Sequence, residues 1–228
     1  MNNSILENRL INNKFAKFPN YHTKIFLSLL TQKYNDVLDV GCGKGFFTYI
    51  GAKNNKFKRC FGCDIYNEFQ KTEIKPFVEK VQYAEINNNI LPFKKNVFDL
   101  VFSIDVIEHI ENDQKFIDEK IRVCKNKGQI IIGTPNYWRI ANILLKIAGR
   151  LTFPRNLGKD TYGDAIHLRE YKKNDLINLL RNNNHINLES LKIFPCWYGL
   201  PPLNLGVERL PVIFENFCNF WFIKFNKK

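Results

Sequence analysis

Val37-Leu38-Asp39-Val40-Gly41-Cys42-Gly43-Lys44-Gly45 is an apolar run that closes on a turn with glycines at three alternate positions. Such a run reads as a buried strand feeding a tight turn, and the residues to about Lys53 read as a helix. Glycines there let the backbone approach a ligand closely, and the start of the following helix favours negative charge. The spacing is not the GxGxxG of a dinucleotide site, and no Lys-Ser/Thr pair follows to complete a phosphate loop. Asp39, near the strand's end, is suited to holding a ligand's ammonium group or an ordered water.

Working outward, further strands are read at 59–65, 80–86, 98–104 and 128–134, with an amphipathic helix at 113–124. Gly128 is suited to ending that helix. Strand and helix alternating in this way predict an α/β, Rossmann-like sheet with helices on both faces. Ligands then bind beyond the carboxyl ends of the strands. Asp64, at the end of the second strand, suits ribose hydroxyls. Residues 135–166 carry no clear strand and read as a helical, lid-like insertion reaching to 171. Asn174 is expected to cap a helix over 175–181, and 186–194 returns as a strand. Residues 195–218 form an aromatic, Pro-rich insertion before a final strand at 219–225, antiparallel to its neighbour. The whole is expected to be one domain, seven-stranded and mostly parallel, with residues 1–35 an N-terminal helical segment.

Composition excludes several classes. Of 228 residues, 45% are apolar and 25% charged, which rules out a mostly disordered or collagen-like chain. No apolar stretch approaches the roughly 18 residues that a membrane-spanning helix needs. The opening MNNSILENRL is no secretory signal, so cytoplasmic placement with reduced thiols is expected. Cys60 and Cys63 are a lone CxxC pair, read as a buried strand feature, and no metal site is expected. A net charge of +12 favours anionic partners: nucleic acid, anionic lipid or a phosphorylated substrate.

The glycine motif LDVGCGKG (38–45), Asp64, FDLVFSIDVIEHIEN (98–112), RVCKNKGQIIIGTPN (122–136) and HLREYKKNDLINLL (167–180) together resemble the class I S-adenosylmethionine-dependent methyltransferases. The subgroup most resembled includes ubiquinone-type O-methyltransferases and methyltransferases of glycan and lipid biosynthesis. The resemblance implies S-adenosylmethionine as cofactor, with S-adenosylhomocysteine as product. It implies that Asp39 and the Gly41-Cys42-Gly43 backbone hold the methionine part, that Asp64 takes the ribose hydroxyls and that Ile65 packs on the adenine. Glu85-Ile86-Asn87 stands where the family has an adenine-binding Asp; Glu85 and Asn87 are the candidates. Asp105 and Val106 would line the sulfonium side.

On the acceptor side, His167 is the candidate base, since neutral imidazole can take a hydroxyl proton. Glu108-His109 is read as structural or cofactor-supporting. Lys120 to Lys159 contains no acid but nine basic residues (120, 122, 125, 127, 139, 146, 150, 155, 159). Within it, Ile140, Ile143, Leu144, Ile147, Ala148 and Leu151 make the apolar face of a basic helix. A lid packed on the site is the expected arrangement; contact with an anionic membrane, presenting a lipid-linked acceptor, is the alternative. The expected acceptor is a small, lipid-linked or glycan-linked molecule methylated on oxygen. An RNA methyltransferase is weighed against it because of the charge, but SIDVIEH is not the Asn- or Asp-Pro-Pro-aromatic run of a base-amino methylating enzyme. A cofactor-binding partner protein without turnover is the third possibility.

Overall fold

The computed structural model describes residues 19–65, 81–85, 90–160, 163–196 and 212–228. Helix α1 (Pro19–Leu29) precedes strand β1 (Tyr34–Val40), α2 (Phe46–Lys53), β2 (Phe57–Asp64) and β3 (Val81–Glu85). Then come β4 (Phe98–Ile104), a 3-10 turn (Ile107–His109), α3 (Asp113–Val123) and β5 (Cys124–Pro135). The segment after β5 holds α4 (Ile140–Ile147), β6 (Arg155–Asp160) and β7 (Gly163–His167). The chain closes with α5 (Lys173–Arg181), β8 (Ile186–Cys196), a 3-10 segment (Val212–Phe217) and β9 (Phe220–Lys227).

Seven strands form one sheet in the order β3-β2-β1-β4-β5-β9-β8. The pairs from β3 to β5 are parallel, whereas β9 runs antiparallel to both β5 and β8. The strands are apolar on both faces because each face carries helices. Leu38, Val40, Ile130, Ile132, Trp221 and Ile223 share one core with α3 and α5, through Ile117, Ile121, Leu176 and Leu180. Val37, Phe102, Ile131, Phe220 and Phe222 share the other with Phe26, Leu29 and Leu30 of α1 and its C-terminal end. Alternate residues on one strand thus serve opposite cores. The CxxC pair divides the same way: Cys60 belongs to one core and Cys63 to the other, and both are free thiols.

Several local expectations change. Helix α3 starts on Asn112, whose side chain accepts from the Lys115 amide at 2.9 Å, but it ends at Val123 and passes directly into β5. Gly128 therefore lies inside that strand and ends no helix. The cap of α5 is Lys172 rather than Asn174; the Lys172 amide donates to the Asp175 carboxylate at 2.9 Å. The insertion after β5 is only partly helical. Its second half is the β6–β7 hairpin, which pairs Arg155 with His167 and Asp160 with Gly163. That hairpin is mostly polar, with Leu157, Ala165 and Ile166 too scattered to alternate, so no apolar rhythm marked it. Strand β8 runs on through Pro195 to Cys196, and the aromatic tail divides between the 3-10 segment and β9. No described helix is long and apolar enough to cross a membrane.

Candidate functional site

The carboxyl ends of β1, β2 and β4 converge on the glycine turn. The Cys63 carbonyl accepts from the amides of Gly41 at 2.7 Å and Cys42 at 3.1 Å, pinning the turn to β2. Asp64 continues the link: one carboxylate oxygen accepts from the Gly43 amide at 2.8 Å, the other from its neighbour Ile65 at 2.7 Å. Ile65 is 55% exposed beside it, an apolar surface open to a flat ligand. Glu85 pairs in register with Asp64 across β2 and β3, which sets both at the carboxyl ends of these neighbouring strands. Ile86 and Asn87 lie outside the described residues.

Asp39 is buried one layer below and accepts from the Thr48 hydroxyl of α2 at 2.6 Å. Burial raises its pKa to about 7, and the Thr48 hydrogen bond only partly opposes this. Cys42 is buried, and burial pushes its thiol far up, with Asp39 and Asp64 adding to the effect, so it is no nucleophile. Asp105 follows β4 with φ at 57°, a left-handed conformation that a non-glycine residue holds at a cost. Its amide donates to the Gly133 carbonyl at 3.0 Å. The residue as a whole is exposed, while desolvation of its carboxyl by the surrounding protein raises its pKa to about 7 and Arg139 opposes the rise. Val106 packs directly over Gly41.

A second constellation faces this one from β5 and the insertion. Glu170 is its centre, accepting from Arg139 at 2.5 Å, Asn142 at 2.6 Å, Arg155 at 2.8 Å and His167 Nδ1 at 2.9 Å. Burial alone would raise its pKa, but the donors around it, His167 first, lower it, so Glu170 stays ionised. The segment folds back to the end of β4: Leu168 donates to the Glu108 carbonyl at 2.9 Å, and His109 Nδ1 lies 2.8 Å from the Ile166 carbonyl. The rings of His109 and His167 are 4.9 Å apart and edge-on. Glu108 is fully buried and accepts from Thr134 of β5 at 2.9 Å.

The structure thus brings His167 and the Glu108-His109 pair together, although they are far apart in sequence. The Glu170 hub was not foreseen; its one sequence signal is that Glu170 stands three residues after His167. The basic helix is also placed differently from the expected packed lid. Its buried residue is Asn142, which donates to Glu170, whereas Leu144 and Ile147 of the apolar face are 60% and 80% exposed. Lys120 of α3 is another unforeseen residue: fully buried, it sets its Nζ 3.3 Å from the Phe116 ring centre with no hydrogen-bond partner among the described residues.

The strand order, the glycine turn and the acidic residue ending β2 define a methyltransferase fold, and comparison with known proteins agrees. The family model described as a methyltransferase domain matches residues 38–132. A Mycobacterium tuberculosis protein named "Probable S-adenosylmethionine-dependent methyltransferase" is 26% identical over 163 residues, covering 70% of this chain and 52% of that one. The ubiquinone biosynthesis O-methyltransferase of Rickettsia felis is 33% identical over 121 residues, 50% of this chain and 49% of that one. Among solved structures, a Thermotoga maritima S-adenosylmethionine-dependent methyltransferase, a possible histamine N-methyltransferase, superposes with a TM-score of 0.64 at 17% identity, over 98% of this chain and 99% of that one. The chain spans about half the length of the curated relatives it matches. Residues 38–132 thus match a methyltransferase domain, and the fold is that of S-adenosylmethionine-dependent methyltransferases.

Proposed function

We propose that the protein transfers a methyl group from S-adenosylmethionine to an oxygen of a small, lipid-linked or glycan-linked acceptor. The observation that carries this reading is the cradle at the strand ends, where the Gly41–Gly43 turn is held against Asp64 with Ile65 exposed beside it. In it, Asp39 and the Gly41-Cys42-Gly43 backbone take the methionine part of the cofactor. A carboxylate offers about four lone-pair sites, so Asp64 can serve two backbone amides and still accept from ribose hydroxyls. Ile65 covers one adenine face, and Asp105 and Val106 border the sulfonium; Glu85 stays the candidate for the adenine amino group from its place at the end of β3.

The acceptor enters from the side of Glu170 and His167. His167 donates through Nδ1 to an ionised carboxylate, which leaves the Nε2 lone pair to take a hydroxyl proton. The sulfonium is already activated, so aligning the acceptor oxygen with the methyl group supplies much of the rate. The exposed Leu144 and Ile147, with Lys146 and Arg150 exposed on the same segment, favour an acceptor carrying an apolar chain at an anionic surface. The similarity to a ubiquinone biosynthesis O-methyltransferase supports oxygen as the acceptor atom.

Calorimetric titration with S-adenosylmethionine and S-adenosylhomocysteine tests the reading. The native chain is expected to bind both one to one, and Asp64→Ala to weaken binding by roughly tenfold or more, the equivalent of one charge-assisted hydrogen bond. Equal affinity in a folded Asp64→Ala protein would overturn the site assignment.

A further inference from the structure

Lys146 and Lys172 reach the same indole from two separate segments. Lys146 Nζ lies 4.8 Å from the centre of the Trp138 ring and Lys172 Nζ 5.5 Å from it, with Lys172 Nζ also 5.2 Å from the Tyr137 ring. The two rings stand edge to face with their centres 5.0 Å apart. Backbone ties hold this platform in the fold. The Tyr137 amide donates to the Tyr171 carbonyl at 3.0 Å, and the Trp138 amide to the Asn136 side chain at 3.1 Å. Asn142 of α4 donates to the Tyr137 carbonyl at 3.0 Å. Tyr171 directly precedes Lys172, and Asn142 stands one helical turn before Lys146, so the ties that fix the rings also fix the backbone carrying both lysines.

A ring face attracts an ammonium group without neutralising it. Both lysines are exposed, and neither has an ion pair or a hydrogen bond from its ammonium among the described residues. Their basic neighbours differ: Arg139 and Arg155 are paired with Glu170, and Lys173 with Glu215. Of the acids beside Lys172 in sequence, Glu170 is taken up by its own donors and Asp175 accepts from the Lys172 backbone amide. Two unneutralised charges are thus held at most about 10 Å apart, within the reach of their mutual repulsion at ordinary salt. An anion that meets both relieves that repulsion.

We propose that Lys146 and Lys172, braced on Trp138, form a subsite for a phosphate or diphosphate group carried by the acceptor. Each lysine offers a compact charge with three donors, which suits phosphate oxygens. Trp138 adjoins Arg139, whose guanidinium holds Glu170 and through it His167, so the subsite and the acceptor base lie along one connected wall. The subsite deepens the functional reading above and rests on it only for what carries the phosphate. Among lipid-linked and glycan-linked acceptors it selects those that are phosphorylated.

The full chain, saturated with S-adenosylhomocysteine, is titrated calorimetrically with inorganic diphosphate. Saturable one-to-one binding is expected. Lys146→Gln and Lys172→Gln should each weaken it by about tenfold or more, the equivalent of one charge-assisted hydrogen bond. Lys33→Gln removes the same charge just ahead of β1, at the opposite end of the sheet, and should change binding by less than about twofold. S-adenosylhomocysteine affinity within about twofold of the native value shows that the variants fold, since the substituted side chains are exposed. No saturable binding, binding unchanged in either lysine variant, or an equal loss in all three variants would overturn the subsite. Vesicles containing phosphatidylglycerol separate the two sources of phosphate. Vesicle association that falls in both lysine variants, with no binding of inorganic diphosphate, would mean a bilayer headgroup and overturn the proposal. S-adenosylhomocysteine binding absent from the native chain sinks the functional reading instead, and inorganic diphosphate titrated into the chain alone then judges the subsite by the same variants.

Discussion

Val106 occupies the space into which any side chain at Gly41 would project: a Cβ built there would lie 2.4 Å from Val106 Cγ2. Gly41 also holds φ at +73°, where an L side chain is strained. Gly41→Ala should therefore destabilise the protein by about 2–4 kcal/mol, adding left-handed strain to overpacking. Val106→Ala in the same chain should recover the steric part and leave the backbone part. Denaturant midpoints of the two single variants and the double variant measure this coupling; additive losses would contradict the contact.

Asp39 predicts a pH dependence of cofactor affinity. Its pKa is raised to about 7 by burial, and a cofactor ammonium pairs only with the ionised form. Affinity should thus rise with pH through about 7, and fall by up to about tenfold per unit below it. In Asp39→Asn, calorimetry should show weaker binding with that slope abolished. An unchanged slope in the variant would assign the dependence elsewhere.

Lys120 predicts a stabilising substitution. Burial pulls its pKa well below the ordinary value, with Cys63 and Asp39 only partly opposing this. A lysine depressed in the folded state binds fewer protons there than when unfolded. Native stability therefore rises as pH climbs from the folded towards the unfolded pKa. Lys120→Met should add about 1–3 kcal/mol at neutral pH, the cost of an unsatisfied buried polar group, with a gain that shrinks at alkaline pH. Thermal unfolding of both chains across pH reads the sign.

The Glu170 hub should behave in the opposite sense. Its depressed pKa contributes stability that is present above the ordinary carboxylate range and is lost as pH falls through the folded-state value. Glu170→Gln leaves Arg139 and Arg155, each largely buried, without their carboxylate, at a cost of about 3–5 kcal/mol near pH 7. The gap to the native chain should close in acid. A constant gap across pH would mean that packing, not charge, sets the loss.

Leu144→Ser with Ile147→Ser should cost less than about 0.5 kcal/mol, because both side chains are already exposed. Sedimentation with vesicles containing anionic lipid should show weaker association than for the native chain. Equal association would place the membrane contact elsewhere or remove it.

The alternating part of the chain was the legible part. Strands such as Phe98–Ile104 are buried on both faces, so each reads as a mainly apolar run, broken here by Asp99 and Ser103, and the glycine turn is forced by backbone geometry that few residues satisfy. Legibility failed where polar contacts do the folding. The β6–β7 hairpin has no apolar rhythm, and α4 docks through Asn142 onto a carboxylate rather than through its apolar face. A helical hydrophobic stripe specifies a helix, but not the side on which it is covered. The acceptor-side cluster was invisible for a related reason, since Glu108, His109 and His167 become neighbours only once the hairpin folds back.

The position of β9 between β5 and β8 orders events during synthesis. When β8 emerges, the strand that will be its sheet neighbour among the described residues has not yet been made, and one edge of β5 stands open as well. Two unpaired strand edges are exposed until Phe220–Lys227 arrives, and such edges invite pairing with other chains. The alternating Trp221, Ile223 and Phe225 on one face, and Phe220 and Phe222 on the other, then close both cores in a single step. Strand β9 is thus the keystone of the sheet, and a nascent chain paused just before it is the form most exposed to misassembly.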